Sequence, residues 1–509
     1  MTELGPIADE VAATLSRLEE REAVRRVWER DHTLWQDDPV EVADRLGWLD
    51  TPREMRHGFD RLAAFATQVC EDGITDVVLS GMGGSSLFPE VVARTFPAVD
   101  GYPRLHVLDS TDPAAVRRAG EVAPIEQILF VVSSKSGTTT ETRSHLAYFW
   151  EATGQRGDQF VAITDPGTEL ADLARDQGFR RVFENRPDIG GRFSALSYFG
   201  LVPAALAGVD VEELLDRAIE ASDACGPHVP ASENPGAWLG AVLGTAARAG
   251  RDKLTLLLPE DLSAFADWVE QLIAESTGKY DTGIVPVVGE PFGRPEVYGD
   301  DRMFVADAAA AASEELAAAN QPVVDFNATQ PLDLGAEAFR WELATSLAGT
   351  VLGINPFDQP DVDAAKRAAA EALDSEPAER PEEPLEPLLE EVRPGDYLAI
   401  LAYVDPASPL VDQLQKVRVA LRDRLRVATS LGIGPRYLHS TGQLHKGGPS
   451  SGVFVQVVAE PDDDIPVPGE SYTFGTLLRA QAAGDLDVLN KRGRRARRVA
   501  LDELLDVDT

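Results

Sequence analysis

The chain has 509 residues, too many for one compact core, so about two to four domains are expected. Hydrophobic residues make up 44% and charged residues 26%, as in ordinary globular proteins, but the net charge is -38. That charge excludes nucleic acid and anionic membrane as natural partners, since both would repel it. Any anionic ligand must instead find a local pocket of N–H groups or cations. Cys70 and Cys225 are the only cysteines, too few for a disulfide framework, and a reducing compartment is expected. Met1 to Gly5 shows no basic segment followed by an apolar one, so no signal peptide is expected. No apolar run reaches the ~18 residues of a membrane span. The expected location is the cytoplasm.

Residues 1–70 read as a helical segment, with Val11, Leu15, Leu18 and Val24 at helical spacing. Short apolar runs then end in turn residues: Ile74 to Ser80, Leu105 to Leu108, Ile128 to Val132 and Phe160 to Ile163. Helix-like stretches such as Leu146 to Thr153 and Glu169 to Gln177 separate them. Strand alternating with helix predicts a parallel sheet covered on both faces over residues 71–234. The pattern returns at Leu254 to Leu258, Ile284 to Val288, Met303 to Val305 and Val323 to Phe326, predicting a second such domain over 235–374. Ala306 to Ala319 reads as helix from its alanine content. A Glu- and Pro-rich stretch between 375 and 395 reads as a linker or exposed loop. Tyr397 to Val404 and Gly452 to Ala459 predict an α/β extension over 395–509. The basic run Lys491 to Arg498 reads as a helix pairing with acidic surface. The fold class is therefore α/β, with two doubly wound parallel sheets, a helical N-terminal segment and an α/β C-terminal extension.

Loops between strand ends and helix starts form anion sites, because the first N–H groups of a helix are unpaired. The loop Ser80 to Leu87 is glycine-rich, but a dinucleotide site would want Gly where Ser86 stands. The loop Ser134 to Thr142 crowds hydroxyls and Lys135 around Gly137, more donors than one helix cap needs, and reads as a phosphate cradle. Gly190-Gly191-Arg192 brings a fixed planar cation to a place where backbone can approach closely. The segment Glu275-Ser276-Thr277-Gly278-Lys279 sets a carboxylate at a helix end, and Phe357 to Lys366 adds an amide, Gln359, and an ammonium, Lys366. A phosphate cradle, a carboxylate base and an amide/ammonium pair are the parts that isomerise a phosphosugar without metal or organic cofactor.

In this order, over about residues 75–370, these segments resemble the glucose-6-phosphate isomerase family, which is built from two sugar isomerase domains. The resemblance implies a sugar-phosphate substrate, no cofactor and no metal, with a homodimer as the assembly to test. It implies Glu275 as the base that moves a proton between C2 and C1 through a cis-enediol, and Arg192 as the cation that stabilises the enediolate. Gly84 and Ser85 would line the first loop. Ser134, Lys135, Ser136, Thr138 and Thr139 would hold the phosphate. Gly191, Gln271 and Gln359 would face the sugar, and Lys366 is a ring-opening candidate. The stretch Arg436 to Gly448 resembles the isomerase half of bacterial fused transaldolase–isomerase proteins, without room here for the transaldolase barrel. One departure stands out. The family's ring-opening histidine follows a Gly-Glu-Pro segment, but after Gly289-Glu290-Pro291 no histidine occurs up to Val305. His439 and His445 are the candidates to replace it. The alternatives are a phosphomannose or dual-specificity isomerase, or a non-catalytic phosphosugar-binding regulator; retention of Glu275, Arg192 and Lys366 argues against the last.

Overall fold

The structure is a computed structural model that describes residues 2–307, 309–360, 373 and 381–507. Helices α1 (Ala8–Glu20), α2 (Ala23–Trp28) and α3 (Thr51–Glu71) form the N-terminal segment. Each buries an apolar stripe; in α3 it is Leu62, Phe65, Ala66 and Val69.

The first sheet holds β1 (Asp76–Ser80), β2 (Arg104–Leu108), β3 (Ile128–Ser133), β4 (Phe160–Thr164) and β5 (Arg181–Glu184), all parallel, in the order β2-β1-β3-β4-β5. Helices α4 (Leu87–Thr95), α5 (Pro113–Gly120), α6 (Thr140–Ala152) and α7 (Glu169–Asp176) cross over between the strands. Side chains alternate across a strand, so the same apolar runs feed two cores. Val77, Leu79, Leu129 and Val131 pack on one side, and Val78, Phe130 and Val132 on the other. In this strand order the chain reverses direction between β1 and β3, and the loops leaving their carboxyl ends lie side by side, where open α/β sheets bind ligands.

After α8 (Tyr198–Leu206), α9 (Val211–Ala224) and α10 (Pro235–Arg248) comes the second sheet. It contains β6 (Lys253–Leu257), β7 (Val285–Val287), β8 (Arg302–Asp307) and β9 (Val323–Phe326), ordered β7-β6-β8-β9. Helix α11 (Phe265–Thr277) follows β6, α12 (Ala311–Ala318) follows β8, and α13 (Leu334–Leu352) follows β9. Helices α10 and α13 touch closely because Gly236, Gly240 and Gly244 share one face. A Cβ on Gly240 would stand 2.5 Å from the Ala344 carbonyl oxygen.

The C-terminal portion contains α14 (Leu385–Leu389), β10 (Tyr397–Tyr403), α15 (Leu410–Leu425), β11 (Ala428–Ile433), α16 (Gly442–Gly447), β12 (Gly452–Val458), α17 (Phe474–Lys491), β13 (Arg495–Arg498) and α18 (Leu501–Leu505). Its strands form a third parallel sheet, β11-β10-β12-β13, so the extension repeats the strand order of the other two. Among the described residues no helix is long and apolar enough to cross a membrane.

Three local expectations are corrected. The basic run is not a helix: only Lys491 ends α17, and Arg495–Arg498 is the edge strand β13. Its arginines do meet acidic groups, Arg495 on Asp396 and Arg497 on Glu391. The stretch 375–395 is not all exposed linker. Residues 374–380 lie outside the described residues, but α14 buries Leu385, Leu388 and Leu389 against the third sheet. Ala306 belongs to β8, and the alanine-rich helix starts only at Ala311.

Glu342, within α13, is 1% exposed, and neither carboxyl oxygen has a hydrogen-bond partner among the described residues. Burial pushes its carboxyl well above the ordinary range. A raised acid pKa contributes stability below the unfolded-state value near 4, and that stability is lost as pH rises. Glu342→Gln is therefore expected to stabilise the fold at pH 8 by about 1 kcal/mol or more, with the gain shrinking as pH falls toward 5. Thermal melts across that range check it, and a pH-independent shift would contradict a neutral Glu342.

Candidate active site

Helix α11 leaves β6 and ends at the motif Glu275 to Lys279. Gln271 and Glu275 are one turn apart and share a face, and Gln271 Nε2 donates to Glu275 Oε2 at 3.0 Å. The other oxygen, Oε1, lies 3.2 Å from Arg192 Nη1. Arg192 comes from the 3-10 turn Gly191–Phe193 after the first sheet and is 3% exposed. All its nitrogens are engaged. Nε donates to Ser276 Oγ at 2.8 Å. Nη2 donates to the carbonyls of Pro356 at 2.7 Å and Asp358 at 2.9 Å. Nη1 also reaches Gln359 Oε1 at 3.3 Å. Burial lowers the Arg192 pKa, while Glu275 and Asp358 hold the charge in place.

Lys279 was not expected to matter beyond its place in the motif. Its ammonium is buried and donates to the carbonyls of Asn355 at 2.9 Å and Asp358 at 2.6 Å, and to Asp358 Oδ1 at 2.5 Å. Burial, with Arg192 nearby, brings its pKa down to about 8. Arg192 and Lys279 together clamp the segment 355–359 beside Glu275. Gln359 is thereby placed at the cluster's exposed edge. Lys366 lies outside the described residues.

The glycine loop after β1 closes another side. Gly83 has φ +57°, and a Cβ on Gly84 would stand 1.9 Å from the Gly191 carbonyl oxygen, so this loop meets the Arg192 turn only as glycine. The neighbouring loop after β3 joins it through Ser133 Oγ, which donates to the Ser85 carbonyl at 3.0 Å. Beyond Ser133 the hydroxyls pair across the turn, Ser134 Oγ with Thr139 Oγ1 at 3.0 Å and Ser136 Oγ with Thr138 Oγ1 at 2.9 Å. Gly137 takes φ +69° to make the bend. Thr139 is the N-cap of α6, yet its side chain makes no capping hydrogen bond. The hydroxyls are thus not used up on the helix. Lys135 departs from expectation: its ammonium pairs with Asp165 and the Pro187 carbonyl, so hydroxyls and helix N–H groups are what this loop presents to an anion.

The two histidines differ. His439 ends the 3-10 turn Arg436–His439 that follows β11. Its carbonyl accepts from Gln271 Nε2 at 2.9 Å, and its Nε2 lies 2.9 Å from Glu141 Oε1. Glu141, in the first turn of α6, also accepts from Gln481 Nε2 at 2.7 Å. Burial alone would raise the Glu141 carboxyl, but the His439 imidazole brings it below the ordinary value. This pair links the helix after the hydroxyl loop to the third sheet, and nothing in the sequence announced it. His445 is corrected. It is 3% exposed, Nδ1 lies 3.1 Å from the Tyr397 hydroxyl, and its ring packs on Phe454 and Tyr437. Burial brings its pKa down to about 3. It is a neutral core residue of the third sheet, not a group facing a sugar.

The empty position after Pro291 also has a physical reason. Helix α15 docks there: Arg418 Nη1 donates to the Val288 carbonyl at 2.8 Å, and Arg422 Nη1 to that of Pro291 at 2.6 Å. Arg302 Nη2 reaches Glu290 Oε2 at 3.2 Å. In this chain the Gly-Glu-Pro segment anchors the third sheet, and that sheet sends His439 to the cluster.

A family model for phosphoglucose isomerase matches residues 19–288, which carry the loop glycines, the hydroxyl loop, Arg192 and Glu275. The chain belongs to the phosphoglucose isomerase family. Two curated relatives named glucose-6-phosphate isomerase are each 30% identical. That of Thermosynechococcus vestitus aligns over 63% of this chain and 71% of its own length, and that of Rubrobacter xylanophilus over 66% and 89%. Among solved structures, a hypothetical protein from Thermus thermophilus superposes with a TM-score of 0.63 at 26% identity, covering 74% of this chain and all of its own. A glucose-6-phosphate isomerase from Chlamydia trachomatis shares the fold, with a TM-score of 0.53 at 22% identity, covering 69% of this chain and 78% of its own. As a phosphoglucose isomerase family member, the chain is an aldose–ketose isomerase.

Proposed function

We propose that this family member interconverts glucose 6-phosphate and fructose 6-phosphate, with Glu275 carrying a proton between C2 and C1 through a cis-enediol. The observation that carries this reading is the fixing of both Glu275 oxygens, one by Gln271 and one by Arg192. A carboxylate aimed by two donors can serve two adjacent carbons without rotating away. Arg192 stabilises the enediolate. Its contact with the exposed Gln359 is the longest of its set at 3.3 Å, so a substrate oxygen takes that place most readily. Ser134, Ser136, Thr138 and Thr139 bind the phosphate with the N-terminus of α6. His439, held by Glu141, assists ring opening, with Lys366 as the alternative donor. The direct test is conversion of fructose 6-phosphate to glucose 6-phosphate, read by a coupled dehydrogenase, with mannose 6-phosphate as comparator. Faster turnover of the mannose epimer, or none of either, sinks the assignment.

Finer parts of the reading follow. Residues 71–234 and 235–374 act as the two sugar isomerase domains, and the extension after 395 marks the branch represented by the isomerase half of fused transaldolase–isomerases. The protein works in the cytoplasm as a homodimer, which sedimentation of the purified chain tests.

Two expected results separate the roles. Ser134→Ala with Thr139→Ala should raise the KM for fructose 6-phosphate by about 100-fold or more with kcat little changed, since each hydrogen bond to a charged group contributes about 1.5–3 kcal/mol. An unchanged KM would reduce this loop to a helix start. His439→Ala should slow turnover of the cyclic sugar by about 100-fold, whereas His445→Ala should lower the melting temperature and leave the chemistry intact. Wild-type rates in His439→Ala would hand ring opening to Lys366.

A further inference from the structure

Beside the N-terminal half of α11, ahead of Glu275, lies a cavity of about 420 Å³, lined among others by Glu90, Asp109, Asp267, Glu270, Arg436 and Ser440. The carboxylates come from separate parts of the chain: Glu90 from α4, Asp109 from the end of β2, and Asp267 and Glu270 from α11. Into them reaches Arg436, the first residue of the turn that ends at His439. Its Nη1 lies 3.4 Å from Asp109 Oδ2 and 3.9 Å from Glu90 Oε1, and its Nη2 lies 3.7 Å from Asp267 Oδ2. Asp267 also meets Arg94 at 2.6 Å. Beyond the turn, Ser440 Oγ donates to Glu270 Oε1 at 3.1 Å.

We propose that Arg436 is the positioning residue for His439. Its guanidinium holds the 436–440 turn of the third sheet against carboxylates of the first two, and so sets His439 between Glu141 and the Gln271–Glu275 pair. This rests on the reading of His439 as the ring-opening group. Removal of Arg436 leaves four carboxylates around one cavity, with Arg94 on Asp267 and the pull of Arg418 on Glu270 as the remaining compensation, and like charges so confined repel. Crowding is already visible in Glu270: burial, then the Asp267 carboxylate, push it up to about 7, against the pull of Ser440, Arg436 and Arg418. The contacts of Arg436 are ionic, at 3.4–3.9 Å, and Nη2 makes no hydrogen bond among the described residues. A point charge can therefore do the same work, unlike at a site that needs the planar fork of arginine.

The test is a double-mutant cycle on the whole enzyme with fructose 6-phosphate. Arg436→Met is expected to lower kcat by about tenfold or more while KM stays within about twofold, because the phosphate loop is untouched. Arg436→Lys should restore most of the rate. In a His439→Ala background, Arg436→Met should add little further loss. An equal loss in both backgrounds, or a wild-type rate for Arg436→Met, overturns the proposal. A wild-type rate for His439→Ala alone would instead sink the ring-opening reading, and the proposal with it. If Arg436→Met does not fold, Asp109→Asn removes the nearest carboxylate and gives the same cycle.

Discussion

Glu275→Gln is expected to lower kcat by at least about 100-fold, the usual contribution of a general base, while phosphosugar binding stays near wild type. The amide keeps the shape of the carboxylate but cannot accept the C2 proton. The environment adds a second consequence. Both Glu275 oxygens face donors, Gln271 Nε2 and Arg192 Nη1. An amide satisfies one of them and turns its own N–H toward the other, so the variant should also melt a few degrees lower, roughly the cost of one unmatched buried donor. Stopped-flow or coupled kinetics, with calorimetric titration of a phosphosugar, separate the two effects. Retention of more than about a tenth of the turnover would assign the base elsewhere.

Arg192→Met is expected to be worse, because it removes activity and stability together. Arg192 binds Ser276, Pro356, Asp358, Gln359 and Glu275 at once. Without it, Glu275 loses a partner at a buried site, and the 355–359 segment loses its contacts at Pro356, Asp358 and Gln359 while keeping those of Lys279 and Tyr280. Breaking a buried pair from one side typically costs about 3–5 kcal/mol, and the enediolate loses its cation. Both the melting temperature and kcat should fall. Arg192→Lys should rescue neither fully, since an ammonium cannot span both the Ser276 and the Pro356–Asp358 contacts. Wild-type stability in Arg192→Met would mean that the 355–359 segment is held mainly by Lys279, Tyr280 and the packing of Phe357.

How much of this was legible beforehand varied with burial and with sequence distance. The inner strands β1, β3, β4, β6, β8, β10 and β12 read as apolar runs because parallel strands covered on both faces carry little polar alternation. The edge strands β5, Arg181–Glu184, and β13, Arg495–Arg498, did not. Their sequences, RVFE and RARR, look like solvated helix or loop until a neighbouring strand supplies the hydrogen bonds. The chemical loops were legible because their hydroxyl, glycine, arginine and carboxylate groups sit at strand and helix ends in short, compositionally odd segments.

By itself, then, the sequence determined the α/β class, the repeated strand–helix pattern, the hydroxyl loop after β3, the Gly-Gly-Arg turn and the carboxylate at the end of α11. These are local properties, written within a few residues of each other. Tertiary structure alone decided which groups meet. His439 and Glu141 are 298 positions apart, Arg192 and Gln359 are 167 apart, and Gln271 reaches His439 across 168. It separated His439 from His445, two histidines in one motif, by turning the first toward Glu141 and burying the second among aromatic rings. It also filled the place after Pro291 with Arg418 and Arg422 of a third sheet. Contacts of this range depend on how three sheets pack against one another, and no local periodicity carries that information.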